Sequence, residues 1–345
     1  MKKSRVLYRL GGEQVVHCIE GEAEIVSSLD HDVQGFLIAP FRADDQHPVV
    51  LIRPTASCSC KPEEACRMWS DGPVCEPAPM KPRPMVEENQ SWHRAYPLFM
   101  EALRRKEFGK LVLSTSFRIK EKEVSEATMG CVDWFRRAAN GLSHGLAYLF
   151  DTPYTGTWVG ATPEVLMEGR GDEWHTMALA GTKHPDEAWD SKNRHEQQLV
   201  ADYIASLLPA SFSASEPRTL QAGRLQHLCT DFRFRMDPRE LFPLLQRLHP
   251  TPAVCGLPKE KAMQFIQQNE GYDRCYYAGY LGPVGIEGES HLYVNIRCGN
   301  VAPDGTAVLY AGSGLVEDSL QEKEWAEVQD KAATLLCIKS DDAHK

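Results

Sequence analysis

Four ionisable residues in this chain stand in separate local frames, each suited to a chemical task. Lys110 lies in a strand-like run, GKLVLSTSF, and Glu164 sits alone in GATPEVL. Glu196 and Glu327 each fall near the start of a long amphipathic helical pattern. A lysine, an isolated carboxyl and two helix-borne carboxylates are the parts of a base, an acid and a divalent-cation site. Each also has an ordinary reading. Glu324, Glu327 and Lys331 share one helical face, and Asn193, Glu196 and Val200 make a similar stripe; such stripes are commonly solvated faces with weak ion pairs. A lysine after glycine at a strand start is commonly exposed, and becomes a base only where burial lowers its pKa.

The surroundings favour the chemical reading. Both helices follow strand ends with small residues, AGT at 180–182 and YAGSGLV at 310–316. Glycines such as Gly181, Gly312 and Gly314 let a ligand approach the backbone, and their N–H groups suit anions. Two glutamates from different helices can then share a hard cation, and oxygen ligands with open positions suit Mg²⁺. His227, in LQHLCTDF, reads first as a structural histidine. Arg297, on VNIRC, pairs with a carboxylate or forks onto a substrate carboxylate.

These residues need a scaffold of strands with helices outside. Residues 1 to about 55 read as short strands, and 56–90, rich in Cys, Pro and Glu, as a long irregular excursion. RAYPLFMEALRRKEFGK reads as a helix with Tyr96, Phe99 and Leu103 on one stripe and Gly109 as its stop. Strand signals follow in KLVLSTSFRI, AYLFDTPYTGTWVG and EWHTMALAGT, then HLYVNIRCGN and TAVLYAGSGLV around the turn VAPDG. The segment from Asp190 has helical periodicity through Leu208. The last helix is expected to begin at Ser319, with Glu322 completing a capping box. Clustered hairpins with interspersed helices predict an α+β fold, large antiparallel sheets with helices packed outside. Residues 1–90 are expected to belong to the same fold as a functional module over 91–345.

With 345 residues, 42% apolar and 25% charged, the chain reads as globular. It has no apolar run long enough to span a membrane and no signal-peptide h-region, so a cytoplasmic location is the expectation. A net charge of −10 argues against nucleic acid or an anionic membrane as partner, but not against a small anion at a local positive site. A monomer is the default. Of 11 cysteines, Cys58, Cys60, Cys66 and Cys75 cluster in CSCKPEEACRMWSDGPVC. Their spacing fits no standard zinc knuckle, and the prolines from Pro77 to Pro84 favour a surface loop. A non-catalytic zinc-binding scaffold is the reading this cluster motivates.

Over roughly residues 92–338 the chain resembles the chorismate-utilising enzymes. The blocks KLVLS, GATPE, LAGT, NRHEQQLV, HLCT, LHPTPAVCGLPKEKA, YAGYLGPVG, LYVNIR, YAGSGLV and EKEWAEVQDKAATLL occur in the family's order. The resemblance implies two extended antiparallel sheets with helices outside, enclosing a buried active site, and Mg²⁺ on the ring carboxylate of chorismate. It implies that Glu196 and Glu327 are the metal-binding glutamates, with Glu324 beside them and Asn193 standing where relatives carry an acid. It makes Lys110 the base that activates water and Glu164 the acid that protonates the departing hydroxyl. Thr182, Gly181, His227 and Tyr280 match positions lining the substrate cavity, and Arg297, Lys331, Gly312 and Gly314 are candidates for a substrate carboxylate.

Within the family, the lysine at 110 and the alanine at 180 separate this chain from the aminating branches, which typically lack the first or carry a nucleophilic lysine at the second. Water is then the expected nucleophile, and the isochorismate synthases are the branch the chain most resembles. Salicylate synthases share the lysine and remain the alternative; the LHPTPAVCG block is closer to the former.

Overall fold

The computed structural model describes residues 3–71, 90–119 and 130–336. The described residues form, in order, β1 (Lys3–Leu10), β2 (Val16–Ile25), β3 (Gly35–Ala39), β4 (Val50–Cys60), α1 (Pro62–Asp71), α2 (Gln90–Arg104), β5 (Lys110–Ile119), α3 (Cys131–Asn140), β6 (Leu146–Thr152), β7 (Gly156–Thr162), β8 (Val165–Arg170), β9 (Glu173–Lys183) and α4 (Ser191–Leu207). Then come β10 (Ser213–Ala214), β11 (Arg218–Ala222), β12 (Leu225–Arg235), α5 (Leu241–Leu248), β13 (Gly256–Leu257), α6 (Lys259–Asn269), β14 (Tyr280–Val284), β15 (Glu289–Val294), β16 (Cys298–Val301), β17 (Ala307–Leu315) and α7 (Gln321–Leu336). The α+β architecture with a large antiparallel sheet matches the expectation.

The strands pair into one continuous antiparallel ladder. It runs β13–β5–β17–β16–β7–β6–β1–β2 and continues β4–β3–β14–β15–β8–β9–β12. The two sheets expected from sequence are the halves of this ladder, which face each other through a shared core. Phe36 of β3 packs on Tyr8 of β1 and Phe150 of β6, with ring centroids 5.6 and 6.3 Å apart. Strand β6 is buried along its whole length, which its near-continuous apolar run LAYLF permits. The Tyr148 hydroxyl on that strand donates across the core to Asn295.

Helices cover the outer faces. Trp325 of α7 packs on Trp92 of α2 and Phe117 of β5, with centroids 5.1 and 5.9 Å apart. A second cluster joins Trp69 of α1 and Trp134 and Phe135 of α3 to Leu7, Leu149 and Val159 of the strands beneath. Among the described residues no helix is long and apolar enough to cross a membrane.

Three local expectations are corrected. Helix α2 ends at Arg104, well before Gly109, and Lys106 just beyond it takes a left-handed conformation (φ 59°) while its amide and that of Glu107 donate to Leu103 and Ala102; backbone closure of this kind needs no glycine when the residue stays exposed. Ser319 does not cap α7 with Glu322. Its hydroxyl instead accepts from the Val316 amide at 3.1 Å, and the helix starts at Gln321. The stretch after residue 56 is not irregular throughout: β4 runs to Cys60, and Pro62–Asp71 is helical with Ala65, Cys66 and Trp69 buried. Cys58 is exposed on β4, and Cys75 and the prolines that follow it lie outside the described residues.

Candidate active site

The ladder brings its two ends, β5/β17 and β9/β12, to opposite sides of one cavity. Glu164, Gly181, Thr182, Glu196, His227, Arg297, Gly312, Gly314 and Lys331 line it together. Strand β5 opens with Lys110 directly beside β17, where Val112 pairs with Gly314 and Ser114 with Gly312. Lys110 is fully buried, and its Nζ lies 2.9 Å from Glu196 Oε1. The close approach depends on Gly314. A Cβ there would stand 2.0 Å from Glu196 Oε1 and 2.9 Å from Lys110 Cε. The spacing of glycines in YAGSGLV thus makes room for side chains from two other elements.

Glu164 follows Pro163 at the break between β7 and β8. Its carbonyl accepts from the Val294 amide at 2.9 Å and its own amide faces Thr162 Oγ1. Burial pushes its carboxyl up to about 8, against the pull of Lys110, Lys331 and Arg297. At neutral pH this group holds its proton, as a general acid must. Lys110 is the charge that pulls hardest on it, although the residues lining the cavity include Glu164 and not Lys110, whose amine faces Glu196.

His227 and Arg297 are linked. His227 Nδ1 donates to the Gly181 carbonyl at 3.0 Å, and its Nε2 accepts from Arg297 Nη2 at 3.0 Å. Burial and the neighbouring Arg297 and Lys331 charges drive the imidazole well below its ordinary value, so it is neutral and fixed in one tautomer. Burial also lowers Arg297, to about 10, which leaves it charged at neutral pH.

A β-bulge builds this corner. Thr182 pairs with His227 and Ala180 with Leu228, so Gly181 is the extra residue, in a left-handed conformation (φ 71°). The bulge turns the Gly181 carbonyl to His227 and the Thr182 amide to Asn193 Oδ1, 2.9 Å away. Asn193 Nδ2 donates to Asp190, the N-cap of α4. An amide can accept from the sheet and donate to the cap at once, which an aspartate there could not. The charge departure noted at this position therefore serves to dock α4.

The three glutamates of the expected metal site are each held by a lysine. Lys110 faces Glu196; Lys192 Nζ lies 2.6 Å from Glu324 Oε1; Lys331 Nζ lies 2.6 Å from Glu327 Oε1. Burial raises Glu324, with Glu327 adding to the shift. Burial also works on Glu327, but Lys331 and Lys192 outweigh it and hold that carboxyl low. Glu324 and Glu327 line an adjoining cleft that shares Thr182 with the main cavity. The three carboxylates do not close into a set in which one oxygen from each lies within 4.8 Å of the others. The donor set nevertheless fits a hard cation. It is all carboxylate oxygen, and Glu324 Oε2 is buried with no hydrogen-bond partner.

Tyr280 is a correction. It is buried on β14 with its ring 4.9 Å from that of His249, away from the cavity, which Tyr277 and Tyr310 line instead. Ala278 takes a positive φ of 60° between them, so the chain turns and 277, not 280, faces inward. Lys192 was also not anticipated; its position beside Asn193 in SKNRHE was the available signal. A further support was invisible in sequence. Glu270 and Arg274 form a buried ion pair at 2.7 Å, and Arg274 donates to the carbonyls of Val254 and Val112, two residues of the cavity wall.

A family model described as chorismate binding enzyme matches residues 70–338. The salicylate biosynthesis isochorismate synthase of Pseudomonas aeruginosa is 34% identical over 260 residues, covering 70% of this chain and 53% of that one. Isochorismate synthase EntC of Escherichia coli is 32% identical over 212 residues, covering 56% and 54%. The alignments span about half the length of these curated relatives. A crystal structure titled as the putative 2,3-dihydroxybenzoate-specific isochorismate synthase DhbC of Bacillus anthracis shares the fold, with a TM-score of 0.76 at 23% identity over 97% of this chain and 96% of that one. Since the family model covers well over half its length, the chain belongs to the chorismate binding enzymes.

Proposed function

We propose that the chain is an isochorismate synthase, which adds water at C2 of chorismate while the C4 hydroxyl leaves. The observation that carries this is Glu164, a carboxyl in the cavity lining held protonated by burial, with the fully buried Lys110 as the charge that acts on it most strongly. Lys110 takes a proton from the incoming water, and Glu164 gives one to the departing hydroxyl, so one water enters and one leaves. Arg297, positioned by His227, meets a substrate carboxylate, since a guanidinium suits a planar anion. Ala180, which lines the cavity, offers no nucleophilic amine of its own.

Glu196 and Glu327, with Glu324 beside them, are the residues that would hold Mg²⁺. When bound, the ion fixes the ring carboxylate and offsets its charge. The substrate is a small dianion, consistent with Arg297 and Lys331 in the cavity lining of a chain that is acidic overall. We place the enzyme in the cytoplasm, as a monomer.

The test is product identification by chromatography after incubation with chorismate and Mg²⁺. Isochorismate is the expected product. Salicylate would assign the chain to the pyruvate-eliminating branch, anthranilate to an aminating one, and unchanged chorismate would overturn the proposal.

A further inference from the structure

The His47 imidazole, the Asp273 carboxylate and the Cys275 thiol come together on the far side of the cavity wall, with their ligand atoms all within 4.8 Å of one another. They arrive from distant parts of the chain, His47 from the β3–β4 connection and the other two from the segment between α6 and β14. We propose that these three residues form a structural site for a zinc-class divalent ion, separate from the carboxylate site in the cavity.

Distances and donor types carry the argument. His47 Nε2 and Asp273 Oδ2 are in ion-pair contact at 3.5 Å. This separation matches the edge of a tetrahedron with metal–ligand bonds of about 2.1 Å, which is roughly 3.4 Å. One sulfur, one imidazole nitrogen and one carboxylate oxygen suit zinc, whereas Mg²⁺ prefers oxygen alone. The ligands are also oriented by their neighbours. Asp273 Oδ1 accepts from the Cys275 amide at 2.8 Å, which leaves Oδ2 turned to the histidine. His47 Nδ1 faces Asp44 Oδ1 at 3.4 Å, and that oxygen is pinned by the amides of Gln46 and His47. A carboxylate behind the second ring nitrogen is the usual support of a metal-bound histidine. The cleft continues past Arg42 and Gln267 to solvent, so a water can complete the fourth position.

The site bears on the cavity wall. Cys275 Sγ lies 3.7 Å from the hydroxyl of Tyr310, a residue of the cavity lining. Arg274, next to Cys275, holds the carbonyls of Val112 and Val254. An ion here would tie the N-terminal strands to the segment that shapes the wall.

The test uses metal-stripped full-length protein titrated with Zn²⁺ against a chromogenic chelator, and with Co²⁺ as a spectroscopic stand-in. One zinc per chain is expected to survive gel filtration, and cobalt is expected to give a thiolate-to-metal charge-transfer band. Both should be lost in Cys275→Ala and in His47→Ala, and zinc affinity should fall about 10- to 100-fold in Asp44→Asn. Both should persist in a Cys58→Ala/Cys60→Ala double variant and in Glu196→Gln. If Cys275→Ala does not fold by circular dichroism, Cys275→Ser replaces it. No retained zinc, wild-type affinity without Cys275, or loss of binding only in the Cys58/Cys60 double variant would each overturn the proposal.

Discussion

The amine of Lys110 and the carboxylate of Glu196 meet at 2.9 Å across a gap that only a glycine at 314 leaves open. The lysine comes from a strand and the glutamate from a helix, and neither is near the other in sequence. The proposed base and the proposed metal ligand are thus in direct contact, so a cation on Glu196 would compete with the lysine for the same carboxylate.

Replacing Lys110 with alanine should abolish isochorismate formation, with turnover falling by about 100- to 10,000-fold. It also leaves Glu196 without its partner in a nearly closed site, at a cost of about 3 kcal/mol or more in urea unfolding. Added methylamine should restore part of the turnover if the amine acts as a base; no rescue together with full activity of the variant would remove Lys110 from the mechanism.

Gly314→Ala should be as damaging as loss of a catalytic group. The new methyl would stand 2.0 Å from Glu196 Oε1, so the glutamate and lysine must both move. A displacement of about 1 Å costs on the order of 100-fold in rate. Steady-state kinetics together with an unchanged circular dichroism spectrum would check this.

Glu164 gives a pH signature of defined sign. Its carboxyl is raised from 4.5 to about 8 by burial, so turnover that needs the protonated form should decline as pH rises through about 8. The stability contributed by the neutral form is whole below pH 4.5 and is lost as pH rises through about 8, because the unfolded chain ionises first. Glu164→Gln should therefore lose activity by about 100-fold or more and also lose this part of the pH dependence of Tm. A Tm profile identical to that of the parent chain would count against the buried, protonated carboxyl.

Glu327→Gln should shift the Mg²⁺ titration of activity to higher concentration by about 10-fold or more, since one anionic ligand is removed from a hard-cation site. It also frees Lys331, whose amine now bonds Glu327 at 2.6 Å and the Gly312 carbonyl at 3.0 Å. An unaltered Mg²⁺ dependence would remove Glu327 from the ligand set.

Much of this was legible in the linear chain. Ordered motifs supplied the candidates for base, acid and metal-binding carboxylates, and the two periodicities placed them on strands and helices. Short-range capping did not read through: the expected Ser319–Glu322 box is absent, while Asp190 caps α4 through the Asn193 amide. Tyr280 was misplaced because a left-handed Ala278 reverses the chain between two tyrosines three residues apart, and periodicity cannot foresee such a turn. The pairing of Glu196 with Lys110 and of Glu324 with Lys192, the Arg274 brace behind the wall and the meeting of His47 with Cys275 were decided by the tertiary structure alone. All three join residues far apart in sequence, and a local pattern records which faces are apolar but not which distant charges those faces bring together once water is excluded.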